Sequence, residues 1–112
     1  FTETVTDSRK DVAGRIFFPL KGEVHDGHKF IADVIERGVG AVVSQEWNEE
    51  LAKKVTWVQV PDTLKAFQNL SSTWRKKWGR PVIGITGSNG KTSVKDFAHT
   101  FLSEKYSTLK SE

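Results

Sequence analysis

Gly84-Ile85-Thr86-Gly87-Ser88-Asn89-Gly90-Lys91-Thr92-Ser93 is the stretch of this sequence best equipped for chemistry. Glycines let a backbone turn its N–H groups inward. A helix start adds unpaired N–H groups and the positive end of a dipole, and the two together hold phosphate. Lys91 has the reach for β- and γ-phosphates, and the Thr92 hydroxyl can ligate Mg²⁺. Gly87, Ser88, Asn89, Gly90, Lys91, Thr92 and Ser93 are therefore the candidate nucleotide contacts. Lys91 and Thr92 form the candidate catalytic pair, with Thr92 the metal ligand. The common pattern G-x-x-x-x-G-K-[ST] asks for glycine at position 85, where Ile85 stands; the glycines fall at 84, 87 and 90. A glycine-rich turn that merely precedes a helix is the competing reading.

The flanking segments weigh against that competitor. Pro81-Val82-Ile83-Gly84-Ile85-Thr86 is a short apolar, β-branched run and reads as a buried strand. Val94, Phe97, Ala98, Phe101 and Leu102 recur at helical spacing. Strand, glycine loop and helix in that order form the context a phosphate-binding loop needs.

The elements upstream read as a small α/β unit. Thr2–Thr6 alternates weakly, as a strand would, and Asp7-Ser8-Arg9-Lys10 follows as a polar turn. Val12-Ala13-Gly14-Arg15 is a second turn. Ile16–Leu20 reads as a buried strand in which Pro19 points to an edge position or a strand end. Lys21–Gly27 is a polar loop. Asp26 or Gly27 opens a helix whose face is Phe30, Ile31, Val34 and Ile35, stopped at Gly38. Val39–Val43 is a short buried strand, which makes a βα unit. Trp47–Lys54 is a charged, loosely helical connector, and Val55–Val60 is a further strand. Pro61-Asp62-Thr63 supplies a stop and an N-cap. Leu64, Phe67, Leu70, Trp74 and Trp78 then mark a helix face over about four turns, with Arg75-Lys76-Lys77 where cations suit the dipole. Gly79-Arg80-Pro81 is the best domain boundary in the chain. The expected domains are 1–79 and 80–112, the second incomplete, since one strand and one helix cannot bury two faces.

Composition narrows the function classes. The chain has 112 residues, 37% of them hydrophobic, with four Trp and seven Phe, so it is globular. It has no Cys, which removes disulfides and thiolate metal sites. No apolar run is long enough to cross a bilayer and no signal peptide opens the chain, so the cytoplasm is the expected location and no membrane partner is expected. A net charge of +3 suits a small anionic ligand but names no partner. Arg75-Lys76-Lys77 beside Trp74 and Trp78 reads as a solvated helix end rather than a nucleic-acid patch. Trp57, Trp74 and Trp78 read as core. His25 and His28 around Asp26 lack a further ligand at metal spacing, and Asp26-Gly27 reads better as turn and cap. The start at Phe1, with no Met, and the end at Ser111-Glu112 give the expectation of a piece of a longer protein.

Thr-Gly-Ser-Asn-Gly-Lys-Thr-Ser resembles the ATP loop of the Mur ligases, the family that builds the peptide of bacterial cell-wall precursors. That family departs from the common loop pattern at the same place. Five further blocks look like its N-terminal uridine-nucleotide domain: Thr6-Asp7-Ser8-Arg9, Gly14–Phe18, Leu20–Glu23, Asp26–Ile31 and Gly38–Val43. The resemblance thus covers nearly the whole chain. It implies an α/β fold: a small N-terminal uridine-nucleotide domain, followed by the first strand, phosphate loop and helix of a parallel-sheet ATPase domain.

The resemblance also implies site residues in the first domain. The Asp-Ser-Arg turn and the loop after the Phe-Phe strand lie around the UDP moiety in that family, which nominates Thr6, Ser8, Arg9, Gly22, Glu23 and Val24. Hydroxyls and backbone groups can pair with a uracil edge, and Arg9 can fork onto a diphosphate. Equally, Asp7-Ser8 can simply cap a turn, with Arg9 a solvated charge.

The reaction implied is ATP-dependent amide formation through an acyl phosphate, with ATP and Mg²⁺ as cofactors, by a monomeric enzyme. Gly-Ser-Asn-Gly-Lys-Thr followed by Ser93-Val94-Lys95-Asp96 looks most like the last ligase of the series. Its substrates are a UDP-N-acetylmuramoyl tripeptide and D-alanyl-D-alanine. The alternatives are the preceding ligase, which adds the third amino acid, or a non-catalytic uridine-nucleotide-binding module. The family's other metal ligands, a modified lysine and a closing C-terminal domain are expected beyond Glu112, so the 112 residues alone are expected to be inactive.

Overall fold

The computed structural model describes residues 3–111, so Thr2 of the expected first strand lies outside the described residues. The chain divides into two compact units, Phe1–Trp78 and Gly79–Glu112.

The first unit is a four-stranded parallel sheet of β1 (Thr4–Val5), β2 (Ile16–Phe17), β3 (Ala41–Ser44) and β4 (Thr56–Gln59), in spatial order β1-β2-β3-β4. Register sets the core. Val5 pairs with Phe17, Phe17 with Val42, and Val42 with Trp57, so these four side chains form one row across one face of the sheet. Phe17 and Val42 are fully buried and Val5 nearly so. The helix α1 (Ile31–Glu36) adds Ile31 and Val34 to the same cluster, with Ile35, Leu51 and Trp57 packed at its margin. Val12, which reads as part of a turn, is 1% exposed and belongs to this core too.

The other face carries Phe18, whose ring lies 5.1 Å from that of Phe67 on α3 (Thr63–Trp78). The start of α3 is tied to the end of β3. The Gln45 N–H donates to Thr63 Oγ1 at 2.9 Å, and the Thr63 N–H donates to Gln45 Oε1 at 3.3 Å. Asp62 caps the helix by accepting from the Lys65 N–H at 2.8 Å. The connector between β3 and β4 contains a single helical turn, α2 (Glu49–Ala52), capped by Asn48.

Four expectations are corrected or narrowed. Pro19 marks a strand end and not an edge, because β2 lies between β1 and β3. Phe30 is 44% exposed and off the core face. Residues Gly27–Phe30 form a 3₁₀ turn before α1, and three residues per turn shifts the phase that an α-helix would keep. Trp74 and Trp78 are 68% and 47% exposed, with Leu64 and Leu70 also exposed, so α3 does not bury the face its periodicity marks. A helix of 16 residues is about 24 Å long, whereas strands of two to four residues run about 7–13 Å, too short to cover it. The uncovered part opens as an apolar groove of about 480 Å³ beside Thr4, Ile16, Phe67, Leu70 and Trp74. The fourth correction lies in the second unit. Residues 80–86 form no strand, and Val82 and Ile83 are 60% and 64% exposed. A strand exists only by pairing, and no described segment of that unit lies alongside to pair with it. The helix after it does form, as α4 (Lys91–Ser103).

Candidate functional site

Two of the nominated clusters belong to the first unit. Thr6–Arg9 follows the carboxyl end of β1 and Gly22–Val24 follows that of β2, and these strands are parallel neighbours. Ligands of open α/β sheets gather outside the carboxyl ends of the strands. Both segments therefore leave the sheet at the end where binding sites occur.

The first segment is a closed turn. The Lys10 N–H donates to the Asp7 carbonyl at 3.2 Å, and the Arg9 N–H donates to Asp7 Oδ1 at 3.0 Å. The Arg9 guanidinium forks back onto the same carboxylate, Nε to Oδ1 at 2.9 Å and Nη2 to Oδ2 at 2.8 Å. These contacts hold the Asp7 carboxyl well below the ordinary carboxylate range, the Arg9 side chain first and its N–H second. Asp7 in turn raises Arg9. Arg9 is 87% exposed, so the pair itself adds little stability. The fork read from sequence as suited to a diphosphate is thus filled by Asp7, and an anion reaching Arg9 would have to displace that carboxylate. Arg37, which no spacing in the sequence connects to this turn, donates to the carbonyls of Ser8 and Lys10.

The second segment is a narrow loop. The Gly22 N–H donates to the His25 carbonyl at 2.8 Å and the Gly27 N–H donates to the Leu20 carbonyl at 2.9 Å. Glu23 and Val24 stand at its tip, with Val24 85% exposed. Asp26 closes the loop as N-cap of the 3₁₀ turn, accepting from the His28 N–H at 3.0 Å, and its Oδ1 lies 2.7 Å from His28 Nδ1. The His28 N–H and then its ring hold the Asp26 carboxyl below its usual value.

The fold brings Glu46 to Asp26 and His28, giving three metal-ligand atoms within 4.8 Å of one another. Sequence spacing gave no sign of Glu46. His25 is not part of the group. The Asp26 carboxylate already serves the cap and the imidazole, Glu46 is exposed, and His28 Nε2 is buried without a hydrogen-bond partner.

The glycine loop is built within the second unit. Gly90 caps α4 with φ 75°, a left-handed conformation that glycine adopts without strain, and no side chain caps the helix. The first backbone bond of the helix runs from the Val94 N–H to the Gly90 carbonyl at 3.0 Å. The N–H groups of Lys91, Thr92 and Ser93 precede it and have no partner within the helix. The Lys91 ammonium folds back to donate to the Gly87 carbonyl at 2.5 Å. Gly87–Ser93 are all exposed. Free N–H groups, a lysine laid along the loop and an exposed threonine in the first turn fit a polyphosphate with its divalent cation.

A four-stranded parallel sheet packed with helices, followed by a glycine loop that opens a helix, defines an α/β protein. The comparisons with known proteins narrow it. The sequence model described as "Mur ligase family, catalytic domain" matches residues 2–75. The UDP-N-acetylmuramoyl-tripeptide--D-alanyl-D-alanine ligase of Bacillus subtilis is 42% identical over 101 residues, 90% of this chain and 22% of its own length. The UDP-N-acetylmuramoyl-L-alanyl-D-glutamate--2,6-diaminopimelate ligase of Alkaliphilus metalliredigens is 44% identical over 93 residues, 79% of this chain and 18% of its own. Among solved structures, MurF from Acinetobacter baumannii superposes with a TM-score of 0.77 at 31% identity, covering 92% of this chain and 22% of that one. MurF from Thermotoga maritima in complex with ADP gives 0.74 at 27%, covering 96% and 24%. This chain belongs to the Mur ligase family. It spans about a fifth of the length of the curated relatives it matches.

Proposed function

We propose that this chain is the UDP-precursor-binding domain (1–79) and the opening of the ATP-binding domain (80–112) of an ATP-dependent amide ligase of peptidoglycan-precursor synthesis. The step is the joining of D-alanyl-D-alanine to UDP-N-acetylmuramoyl tripeptide. One observation carries this reading. The similarity to a ligase named for that reaction extends over 90% of the chain, so it cannot be confined to either unit. A relative solved with ADP supports ATP as the nucleotide.

The chemistry needs ATP because a carboxylate is a poor electrophile. Transfer of the γ-phosphoryl group converts the peptide carboxylate into an acyl phosphate, and the dipeptide amine then displaces phosphate to leave the amide. Phosphoryl transfer is mostly positioning and charge neutralisation. Ser88, Asn89 and Gly90 offer backbone N–H groups, and Lys91 leaves the Gly87 carbonyl to neutralise the phosphates. The Thr92 hydroxyl holds Mg²⁺, which supplies further neutralisation. In the first domain Thr6, Ser8 and Arg9, with Gly22, Glu23 and Val24, contact the UDP moiety. With this role go a cytoplasmic, monomeric enzyme and small-molecule substrates rather than nucleic acid or membrane.

Relatives named for the preceding step, addition of diaminopimelate, favour a second reading at comparable identity over a smaller share of the chain. The experiment is product formation by a ligase of the relatives' length that carries these 112 residues, supplied with Mg-ATP and UDP-N-acetylmuramoyl tripeptide. Phosphate release and pentapeptide product that require D-alanyl-D-alanine are the expected result. Turnover of the UDP-dipeptide with diaminopimelate instead would move the enzyme one step earlier. Binding of the UDP precursor with no turnover on either substrate pair would leave a binding module.

A further inference from the structure

We propose that Arg37 positions the Thr6–Arg9 turn for the UDP precursor, an inference that rests on the assignment of that turn to the substrate. Arg37 stands at the C-terminal end of α1, 27 to 29 residues away in sequence from the groups it holds. Its Nη1 donates to the Ser8 carbonyl and its Nη2 donates to the Lys10 carbonyl at 2.6 Å, so one guanidinium grips the backbone on both sides of Arg9. Nη1 also donates to Asp33 Oδ2 at 3.1 Å, one helical turn back. The backbone beneath is fixed. The Arg37 N–H donates to the Asp33 carbonyl at 3.1 Å, and the next two N–H groups, of Gly38 and Val39, donate to the carbonyls of Ile35 and Val34 at 3.0 Å each.

The turn has few other ties. Its remaining hydrogen bonds are internal: Lys10 to Asp7, and Arg9 to Asp7 through backbone and side chain. Among the described residues, Arg37 makes the hydrogen bonds that join residues 7–10 to the rest of the fold. α1 is itself anchored, with Ile31 and Val34 in the core. The turn is therefore tied to the fold by its own chain, which runs from Val5 to Val12 in the core, and by the Arg37 side chain.

The geometry also suits an anionic ligand. A carbonyl oxygen carries partial negative charge, and two of them turned outward would repel a diphosphate. Arg37 takes both, with a guanidinium that also pairs with the Asp33 carboxylate. A guanidinium suits the task because its donors lie in a rigid planar fork that spans two acceptors; an ammonium's donors all sit on one nitrogen at the end of a flexible stem and hold two acceptors less rigidly.

The test uses a ligase of the relatives' length that carries this chain. Arg37→Ala is expected to raise KM for the UDP precursor about tenfold or more, the scale of losing charge-assisted hydrogen bonds. Its kcat, and its KM for ATP, stay within about twofold. Arg37→Lys, which keeps the charge but holds the two carbonyls less rigidly, is expected to raise KM by an intermediate factor; a wild-type KM in a folded Arg37→Lys protein overturns the proposal even where Arg37→Ala does not fold. A fall in melting temperature with unchanged precursor KM means a purely structural arginine and also overturns it. Ser8→Ala in the same assay separates the two layers. If Ser8→Ala raises KM and Arg37→Ala does not, this inference alone fails. If neither changes it, the turn is not a substrate contact and the underlying reading fails with it.

Discussion

A Cβ atom placed on Gly27 would stand 2.9 Å from both the backbone nitrogen and the carbonyl oxygen of Leu20. No side chain has room there, and the Gly27 N–H donates to that same carbonyl at 2.9 Å. Glycine is what allows the loop carrying Gly22, Glu23 and Val24 to close on its own base. Gly27→Ala is expected to destabilise the first unit by about 1–3 kcal/mol, the usual range for forced overpacking. It is also expected to weaken UDP-precursor binding, because the loop must open to admit the methyl. Urea denaturation and a precursor titration on one preparation check both, and wild-type values in both would show that the loop relaxes freely.

Thr63→Val probes the joint between β3 and α3. Thr63 is 1% exposed and its hydroxyl accepts from the Gln45 N–H. Valine keeps the shape and leaves that donor unpaired, for a cost of about 1–2 kcal/mol. Denaturation midpoints measure it. The Lys65–Asp62 cap is untouched, so helix content by circular dichroism is expected to hold.

How much of this was legible in the sequence follows from the range of each interaction. Ile31 and Val34 of α1, the Asp62 cap and the helix after Gly90 all rest on neighbours within a turn or two, and spacing shows such relations. Phe30 misled because a 3₁₀ turn has a different period. Trp74 and Trp78 misled because periodicity marks an apolar face without saying whether a sheet is long enough to cover it. Val82 and Ile83 read as a buried strand, but a strand is a property of its neighbours. Arg37 and Glu46 left no trace because their partners lie far away in sequence, where only the packing of α1 and β3 brings them together. The Asp7-Ser8-Arg9 turn was legible as a turn, yet the closure of Arg9 onto Asp7 was not.

That closure gives a pH prediction. Asp7 is held below its ordinary range, so its contribution to the turn is present in full above about pH 4 and is lost as pH falls below that. Removing the larger cause reduces the shift: Arg9→Ala takes away the side-chain contact and keeps the backbone N–H, so Asp7 is expected to rise part of the way toward 3.8. Carboxyl carbon chemical shifts followed against pH by NMR measure this directly. An Asp7 titration that does not move in Arg9→Ala would assign the shift to the turn backbone instead. In a ligase of the relatives' length, Ser8→Ala with Arg9→Ala is also expected to weaken precursor binding about tenfold with little change in melting temperature, since exposed turn residues carry little core energy.

Lys91→Ala is expected to lower turnover of the same ligase about 100-fold or more, the scale seen when one charge-stabilising donor is removed from a transfer site. Precursor affinity is expected to remain within about twofold, because Thr6–Arg9 and Gly22–Val24 belong to the first unit and Lys91 to the second. Initial rates and a precursor titration on one preparation decide it. Substantial residual turnover would remove Lys91 from the mechanism and return the glycine loop to a structural turn.

The 112-residue chain by itself is expected to bind Mg-ATP weakly and to release no phosphate. Its second unit offers backbone N–H groups, Lys91 and Thr92. Yet residues 80–86, the base from which the loop departs, form no strand, and Val82 and Ile83 lie exposed. Val94, Phe97 and Phe101 of α4 are 52%, 67% and 72% exposed, so little packing holds the helix start against the loop. Lys91 meanwhile donates to Gly87 and must leave that carbonyl to meet a phosphate. Phosphoryl transfer depends on holding the reacting groups in line with their charges neutralised, so an unsupported loop loses most of the rate. Simple anions are the exception, because the N–H groups and dipole of α4 remain. Millimolar phosphate or sulfate is therefore expected to shift the amide resonances of Gly90, Lys91 and Thr92. The measurement is a titration of the chain with Mg-ATP beside a phosphate-release assay. Micromolar binding, or steady release abolished by Lys91→Ala, would show that Gly79–Glu112 already holds a complete nucleotide site.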